Sequence, residues 1–410
     1  MSTVQSCRLW ICVYALLGAG ALDSAQAAER ARAVGVPFEG TPGPLNAITD
    51  VAGVEVGQVT LVQGDGPLKV GVGPVRSGVT VVLPRGRASA DPVYGGFYDL
   101  NGNGEMTGIS YLQDFGVMYG PIGISNTNAI GQVYAGIQQW TARKFGEAST
   151  PVVAETFDGR LNDIGGFHVH PEHAIAALNA AKSGTVEEGN VGGGTGMVCF
   201  GFKGGIGTAS RQVTIGPAHY TVGVLVQCNT GDRATLRVAG APVGQEMAGR
   251  WLPCFAADVA PADKKPPCAG DSTAGQAPGD SGSIIIVVAT DAPLIPTQLN
   301  RVAKRAALGL GRLGSYSGNS SGDLIVSFTT SGVANYPEQK APSAIAQIAS
   351  TSIDPLFKGT VEATEEAIVN GLIAADTMTG IDGQRFYRLP HAELRDILKR
   401  YGRLVAPKKR

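Results

Sequence analysis

Short apolar runs bounded by glycine, asparagine or aspartate recur along the chain and predict β-strands. Their β-branched residues suit a pleated surface, and the flanking residues mark turns. The predicted strands are 51–59, 78–83, 151–154, 222–227, 284–289 and 324–329. The fifth of these begins with five aliphatic residues in succession, which indicates a strand buried in the core.

Helical patterns lie between these strands and predict a layered α/β architecture. The predicted helices are 128–145, 171–182, 296–313, 343–353 and 360–374. Pro171 and Pro296 stand at the starts of two of them, where the first turn of a helix tolerates proline well. We find no internal repeat and no strong boundary between two domains, so the chain is expected to form one domain.

The clearest change in composition spans residues 256–282, which are rich in proline, glycine, alanine and aspartate. This segment predicts a surface loop that ends at Gly282–Ser283, at the mouth of the buried strand. A cut at this bond would give Ser283 a free α-amine, whose pKa is roughly 7.7–8.0. A terminal serine can then serve as its own nucleophile and base. The same residues also fit a plain turn into a core strand.

Composition excludes some classes of partner. The 410 residues carry a net charge of −1, which gives no reason to expect a nucleic acid or an acidic membrane surface. Gly is 58 residues, about twice the usual share, and charged residues are 16%, below the usual quarter. This balance favours a compact, turn-rich fold with long buried strands.

The N-terminus predicts a signal peptide of residues 1–27. Arg8 precedes an apolar stretch over 9–21, and Ala25-Gln26-Ala27 offers a cleavage site. The stretch is too short for a confident membrane span, although an uncleaved anchor is the alternative. No later segment is suited to span a bilayer. We therefore expect a periplasmic or secreted protein without stable membrane association.

Four cysteines follow the predicted signal peptide. Cys254 and Cys268 bracket a Pro- and Ala-rich stretch, so an oxidising compartment favours a disulfide there. Closing a loop of about 15 residues contributes roughly 3 kcal/mol. Cys199 and Cys228 lie within apolar runs, where a cysteine is expected to act as a small hydrophobic residue.

Several patterns resemble known sites without completing them. Gly279-Asp280-Ser281-Gly282 resembles the nucleophile motif of trypsin-like proteases, but none of the five histidines stands in the expected setting. A loop at 99–104 matches half of a calcium site and has Ser110 where a glutamate is needed. Gly192–Gly194 begins a glycine-rich turn without the lysine of a phosphate loop.

A dense histidine cluster offers zinc ligands, namely His168, His170, Glu172 and His173. To bring these side chains together around one ion, the chain would have to reverse its direction sharply at Pro171. A strand end followed by a helix start is the better interpretation. We predict no metal and no cofactor.

One constellation of polar residues fits catalysis. Ser321 and Asp323 open a strand at a spacing that points them to the same side. Asn229 ends another strand, and a primary amide there can donate to a developing oxyanion. Glu155 ends a third, and its carboxylate can pair with an ammonium group. Each alone also fits a cap or turn residue.

A set of longer motifs gives these residues a common context. They are GPLNAITDV at 43–51, NGNGE at 101–105, VGGGTGM at 191–197, KGGIGT at 203–208, GSII at 282–285 and ATDAPL at 289–294. With these motifs the chain resembles the DmpA-type family of self-processing aminopeptidases, which includes L-aminopeptidase/D-esterases and β-peptidyl aminopeptidases. The likeness runs from near Gly43 to near the C-terminal helix.

The resemblance implies a four-layer αββα sandwich, similar in layering to N-terminal-nucleophile hydrolases but differently connected. It implies a cut before Ser283 into an α chain, 28–282, and a β chain, 283–410, that stay together as one domain. Ser283 would be the nucleophile, Asn229 would support the oxyanion, and Ser321 with Asp323 would orient the nucleophile region. Glu155 would hold the substrate's amino group. Relatives assemble as homo-oligomers of such pairs.

Two positions depart from some relatives. Phe157 stands where a tyrosine occurs, so no hydroxyl is available, and Asp323 stands where a glutamate occurs, which shortens its reach. Both departures bear on substrate preference or rate more than on the class of reaction.

The predicted function is an exported, self-activating serine aminopeptidase that acts on peptides or aminoacyl amides and esters. It would release N-terminal α- or β-amino acids, or D-amino acid amides, through an acyl-enzyme on Ser283. One alternative is a hydrolase of nylon-type oligoamides, although those relatives use threonine as nucleophile. An alternative of another class is an uncut periplasmic binding protein.

Overall fold

A computed structural model describes residues 29–269, 275, 279–332 and 344–406, so the predicted signal peptide lies outside the described residues. The strands are β1 Glu55–Gln63, β2 Val75–Leu83, β3 Val93–Gly102, β4 Val117–Met118, β5 Ile122–Asn126, β6 Val152–Thr156, β7 Val198–Cys199, β8 Phe202–Lys203, β9 Gly205–Ile215, β10 Ala218–Asn229, β11 Cys254–Phe255, β12 Ser281–Thr290, β13 Ser320–Thr329, β14 Met378–Thr379 and β15 Gln384–Phe386.

The α-helices lie mainly between and after these strands. They are α1 Ile109–Phe115, α2 Ile130–Phe145, α3 Pro171–Ala180, α4 Val243–Glu246, α5 Pro296–Arg312, α6 Asp354–Ala374 and α7 His391–Arg400. Pro171 and Pro296 occupy first-turn positions as predicted. In the described parts of the chain, no helix combines the length and the apolar character that a membrane crossing needs.

Two sheets form the centre of the molecule. The larger has the strand order β4-β3-β13-β12-β10-β9, and the smaller has the order β1-β2-β5-β6. Strand β12 lies inside the larger sheet, antiparallel to β10 and parallel to β13. The polar residues at its start are therefore surrounded by backbone on both sides.

Apolar side chains fill three layers of packing. One core lies between the two sheets, one joins the larger sheet to α5 and α6, and one joins the smaller sheet to α2 and α3. In β12, Ile284 and Ile286 pack toward the helices while Ile285 and Val287 pack toward the second sheet. Burial on both faces explains the unbroken aliphatic run. The predicted αββα layering is confirmed.

The predicted helix at 343–353 is wrong over its described part. Residues 344–349 are not helical, and only Ser350–Ser352 forms a 3₁₀ turn. Tertiary hydrogen bonds take up the backbone here. The N–H of Ile348 donates to the carbonyl of Pro293, and its carbonyl accepts from Gln298. A backbone committed to distant partners cannot also make helical bonds.

Strand β3 was not predicted because glycines interrupt its apolar pattern. Gly96 lies against α5, where a Cβ atom would come within 2.5 Å of the backbone nitrogen of Asn300. The glycine is required for close packing, although it weakens the sequence pattern of a strand.

The described residues contain two disulfides. Cys254 pairs with Cys268, with Cα atoms 5.0 Å apart. Cys199 also pairs with Cys228, at a Cα separation of 5.5 Å, which corrects the expectation that these two act only as small hydrophobic residues. The end of β10 and the hairpin of β7 and β8 bring them together, and a single sequence does not show that pairing.

A buried ion network joins the N-terminal segment to α6. Glu366 accepts two hydrogen bonds of 2.7 Å from Arg32 and one of 2.7 Å from Arg211, and Asn46 donates to it at 2.6 Å. Burial alone would raise the pKa of Glu366, but the bond from Arg32 and the charges of both arginines hold it below its ordinary value. The network favours the ionised carboxylate.

We expect Glu366→Gln to lower the free energy of unfolding by about 3–5 kcal/mol at pH 7, because it removes the buried carboxylate that pairs with the buried Arg211 and the partly exposed Arg32. Since the folded pKa is lowered, this stabilisation is complete above the unfolded value of about 4.3. It is lost as the pH falls through the folded value. Denaturant titrations at several pH values measure the difference.

Glu365→Gln is the matched control, because Glu365 pairs with the exposed Arg312 and such pairs contribute only about 0–1 kcal/mol. Equal effects of the two substitutions at pH 7 would contradict a special role for the buried network.

Candidate active site

Ser283 lies at the start of β12, between the ends of two neighbouring strands. It pairs with Asn229 on β10 and with Gly322 on β13, and it is 3% exposed. Gly282 before it has a φ of 153°, and a Cβ atom there would lie 1.9 Å from the carbonyl oxygen of Asn229. Only glycine fits this approach. The Gly-Ser pair is therefore a requirement of the local backbone.

The hydroxyl of Ser283 and the amide of Asn229 share one face of the sheet. Ile285, two residues after Ser283, belongs to the core between the sheets. Side chains alternate along a strand, and directly opposed residues point the same way. Both polar side chains thus point toward the space between the two sheets.

Ser321 and Asp323 lie on the opposite face. They pair with Gly282 and Ile284, and Ile284 packs on the helix side of the sheet. The hydroxyl of Ser321 donates to Asp323 Oδ1 at 2.7 Å. The predicted same-side arrangement is therefore present, but the pair lies beside the backbone of the Gly282–Ser283 bond rather than beside the Ser283 hydroxyl.

Asp323 is buried and sits among hydrogen-bond donors. Burial raises its pKa, while bonds from Ser317, Ser321 and the backbone of Ile284 oppose that shift and the charge of Asp280 adds to it. A carboxyl of raised pKa can take up a proton more readily than an exposed one. The group lies on the strand next to the Gly282–Ser283 bond and accepts from the N–H of Ile284.

The side chain of Asn229 is held at both ends. Its Oδ1 accepts from the N–H of Val198 at 2.8 Å, and its Nδ2 donates to the carbonyl of Phe157 at 2.9 Å. An amide nitrogen carries two protons, so one remains to donate to an oxyanion. The Cys199–Cys228 disulfide joins the residue after Val198 to the residue before Asn229.

Lys203 is a buried residue near the hydrogen bonds that hold the Asn229 amide. Its ammonium donates to the carbonyls of Gly204 at 2.6 Å and Met197 at 2.8 Å. Burial lowers its pKa to about 7. Because Met197 precedes the residue whose N–H holds Asn229, Lys203 supports the same turn. The sequence marked Lys203 only as part of a motif.

Glu155 ends β6 and approaches the same region from the smaller sheet. It is 4% exposed, and its carboxylate accepts from the hydroxyl of Thr127 and from the N–H of Glu105. Burial raises its pKa, against these two bonds. A Cβ atom at Gly104 would lie 3.1 Å from Glu155 Oε1 and 3.4 Å from the Cα of Gly322. Only the Gly104 backbone separates Glu155 from the strand beside Ser283.

The residues after Glu155 combine an exposed ring with a buried acid. The side chain of Phe157 is 44% exposed, while its carbonyl holds Asn229. Asp158 is fully buried, and burial raises its pKa to about 7 despite bonds from Ser77, Asn162 and Asn126. It anchors the peptide that carries the Phe157 carbonyl.

The histidine cluster does not join this site, whereas the loop at 99–104 borders it: Asn101 donates to the carbonyl of Ser321, and Gly104 lies beside Glu155. His168 bonds to Asp163, and the ring of His173 accepts from the N–H of His170 at the start of α3. Among the residues that the structure describes, no group of three metal-binding side chains comes together. Gly192–Gly194 forms a buried 3₁₀ turn packed on backbone.

Comparisons with known proteins agree with this geometry. The model of peptidase family S58 matches residues 46–386. The chain belongs to peptidase family S58. Its sequence is 54% identical over 401 residues to beta-peptidyl aminopeptidase BapA of Sphingosinicella microcystinivorans, covering 96% of this chain and 98% of that one. The corresponding BapA of Sphingosinicella xenopeptidilytica is 47% identical over 402 residues, covering 96% and 97%.

A solved structure of an S58-like enzyme shows the same fold. It is the L-aminopeptidase D-Ala-esterase/amidase from Ochrobactrum anthropi, described as a prototype for the serine aminopeptidases and a variant of the Ntn hydrolase fold. The TM-score is 0.81 at 40% identity, covering 92% of this chain and 99% of that one. The predicted family and the predicted class of enzyme, an aminopeptidase, are confirmed. These findings contradict the alternative that the chain is a non-enzymatic binding protein.

The disulfide beside Asn229 should matter for activity as well as for stability. On the sequence prediction that the Asn229 amide donates to the oxyanion, we expect replacement of both Cys199 and Cys228 by alanine to lower kcat at least about tenfold, because loosening such a donor costs roughly 1.4 kcal/mol or more of transition-state stabilisation. Steady-state kinetics on the purified variant measure this effect.

The control is the pair Cys254 and Cys268, likewise replaced by alanine. Each disulfide removal is expected to cost about 2–5 kcal/mol of stability, but only the first should change kcat per folded molecule. If both variants keep wild-type kcat, the disulfide does not position Asn229.

Proposed function

We propose that this S58 member is an exported, self-activating serine aminopeptidase that releases N-terminal β-amino acids from peptides. The observation that carries the proposal is the register of Ser283 with Asn229 at the mouth of a buried strand. The two BapA relatives support the preference for β-amino acids. Two disulfides in the described chain support export, because such bonds persist in oxidising compartments.

Activation begins with attack of Ser283 Oγ on the carbonyl carbon of Gly282. The peptide bond to the Ser283 nitrogen breaks, and that nitrogen takes the proton that the hydroxyl gives up. Water then hydrolyses the resulting ester, which leaves a carboxylate on Gly282 and a free α-amine on Ser283. The Ser321–Asp323 pair is in register with the residues on either side of Ser283, and we propose that it exchanges protons with the released nitrogen.

Turnover uses the same hydroxyl. Ser283 Oγ attacks the carbonyl carbon of the substrate's first residue, and the new α-amine of Ser283 accepts the proton of the hydroxyl. The free N–H of the Asn229 amide stabilises the negative oxygen. The leaving amine departs with a proton, and water hydrolyses the acyl-enzyme and regenerates Ser283.

Substrate recognition requires a free amine. The buried carboxylate of Glu155 can pair with an ammonium group, and this pairing would offset the burial that raises the Glu155 pKa. An acetylated N-terminus offers no charge and leaves the carboxylate without a partner. We propose that Glu155 restricts the enzyme to unblocked peptides.

Self-cleavage gives the first prediction of the proposal. Purified protein should run as two bands on a denaturing gel, and N-terminal sequencing of the smaller fragment should begin Ser-Ile-Ile-Ile. Ser283→Ala should give one uncut, inactive chain, because alanine has no nucleophile. Ser281→Ala is the control and should still cut. A fragment that begins at Ser281 or Gly282 would assign the nucleophile to another residue.

A panel of p-nitroanilides tests the substrate class. We expect β-alanyl anilide to be hydrolysed faster than L-alanyl or D-alanyl anilide, and acetyl-β-alanyl anilide not to be hydrolysed. Glu155→Gln should lower kcat/KM for the free amine by about tenfold or more, roughly 1.4 kcal/mol. It should still permit cleavage before Ser283, since that step binds no ammonium group.

The control for this panel is Glu105→Gln, since the Glu105 side chain is exposed and the substitution keeps the N–H that bonds to Glu155 while removing the charge that also raises the Glu155 pKa. Equal hydrolysis of acetylated and free substrates, or normal kinetics of Glu155→Gln, would remove Glu155 as the amine anchor.

A further inference from the structure

Asp280 accepts hydrogen bonds from an unusual number of donors for a loop residue. Its carboxylate accepts from three backbone N–H groups, those of Gly231 at 3.0 Å, Tyr316 at 3.1 Å and Gly318 at 3.2 Å. The hydroxyls of Ser315 and Thr230 lie at 3.3 and 3.4 Å. The residue is 6% exposed. Such bonds to a carboxylate are stronger than bonds between neutral groups.

These donors belong to two different parts of the chain. Gly231 follows β10, whereas Tyr316 and Gly318 belong to the loop that leads into β13. A Cβ atom at Gly318 would lie 2.2 Å from the carbonyl oxygen of Asp280. Asp280 therefore fixes the chain just before Gly282 from both sides.

The same carboxylate is connected to the polar pair beside the scissile bond. Thr230 Oγ1 lies 2.9 Å from Ser321 Oγ, and Ser321 donates to Asp323 at 2.7 Å. Two hydroxyls thus lie in line between the carboxylates of Asp280 and Asp323, and their two protons fill two of the three contacts at any one time. A shift of Asp280 would disturb both the segment before the bond and the pair next to it.

We propose that Asp280 is a positioning residue for self-cleavage, which holds the Gly282 carbonyl carbon in line for attack by Ser283 Oγ. The inference rests on the proposed function and adds a residue that acts through the backbone. Gly282 alone is permissive, because glycine at this φ has wide conformational freedom. The Asp280 bonds supply the restraint that glycine does not.

The test follows the conversion of freshly purified precursor into two fragments over time. Asp280→Ala should slow conversion by about a hundredfold, the loss expected when reacting atoms are misplaced by about 1 Å. Asp280→Asn keeps one acceptor oxygen and should be slowed by only about tenfold, a partial rescue. Asp232→Asn is the matched control, since Asp232 caps a single N–H in the neighbouring turn and should convert at the wild-type rate.

Two further measurements separate positioning from folding and from later chemistry. In a Ser283→Ala background, Asp280→Asn should leave the thermal unfolding midpoint within a few degrees of the uncut parent. Hydroxylamine cleaves the ester that follows attack, so it should not restore the rate of Asp280→Asn if attack itself is slowed.

The outcomes are distinct. If wild-type protein cuts and both Asp280→Ala and Asp280→Asn cut at the wild-type rate, Asp280 has no role in positioning. That result would leave the proposed function intact. Full rescue by hydroxylamine, or a large drop in the unfolding midpoint, also overturns the role of Asp280. Wild-type protein that stays uncut overturns the proposed function itself.

Discussion

The site depends on the close approach of two backbones, the start of β12 and the end of β10. Gly282 lies so near the carbonyl of Asn229 that a single added carbon would collide. This contact sets the register of β12, and the register decides which side chains stand next to Ser283. Aliphatic packing on both faces of β12 holds the contact in place, so the hydrophobic core fixes the geometry of the polar groups.

The larger sheet separates two kinds of chemistry. Its inner face carries the hydroxyl of Ser283 and the amide of Asn229, which suit attack and charge stabilisation. Its outer face carries Ser321 and Asp323, which pair with the residues on either side of Ser283. A peptide nitrogen in a strand lies in the plane of the sheet and is accessible from either face. One residue can therefore use groups on both sides without any side chain crossing the sheet.

The sequence predicted helices α2, α5 and α6 from their helical patterns and β12 from its unbroken aliphatic run, but it missed the long strands β3 and β9. The roles assigned to the site residues came only from motifs shared with a family, and they stay predictions. The sequence did not reveal the hydrogen bonds of Asp280 or the partner of Cys199, since both depend on how distant loops and strands meet. The helix predicted at 343–353 was wrong because the backbone there bonds to residues distant in sequence. The local pattern of apolar and polar residues does not show such interactions between elements.

Glu366 and Arg211 stand on opposite sides of the proposed cut, as do the paired strands β10 and β12. Under that proposal, a chain that folded once as a single molecule becomes two molecules that share one sheet. Unfolding then separates partners that must find each other again by diffusion, so recovery depends on concentration. At low concentration the lifetime of such a two-chain protein would therefore depend on how slowly it opens. The buried Arg211–Glu366 ion pair between the fragments would then slow their separation.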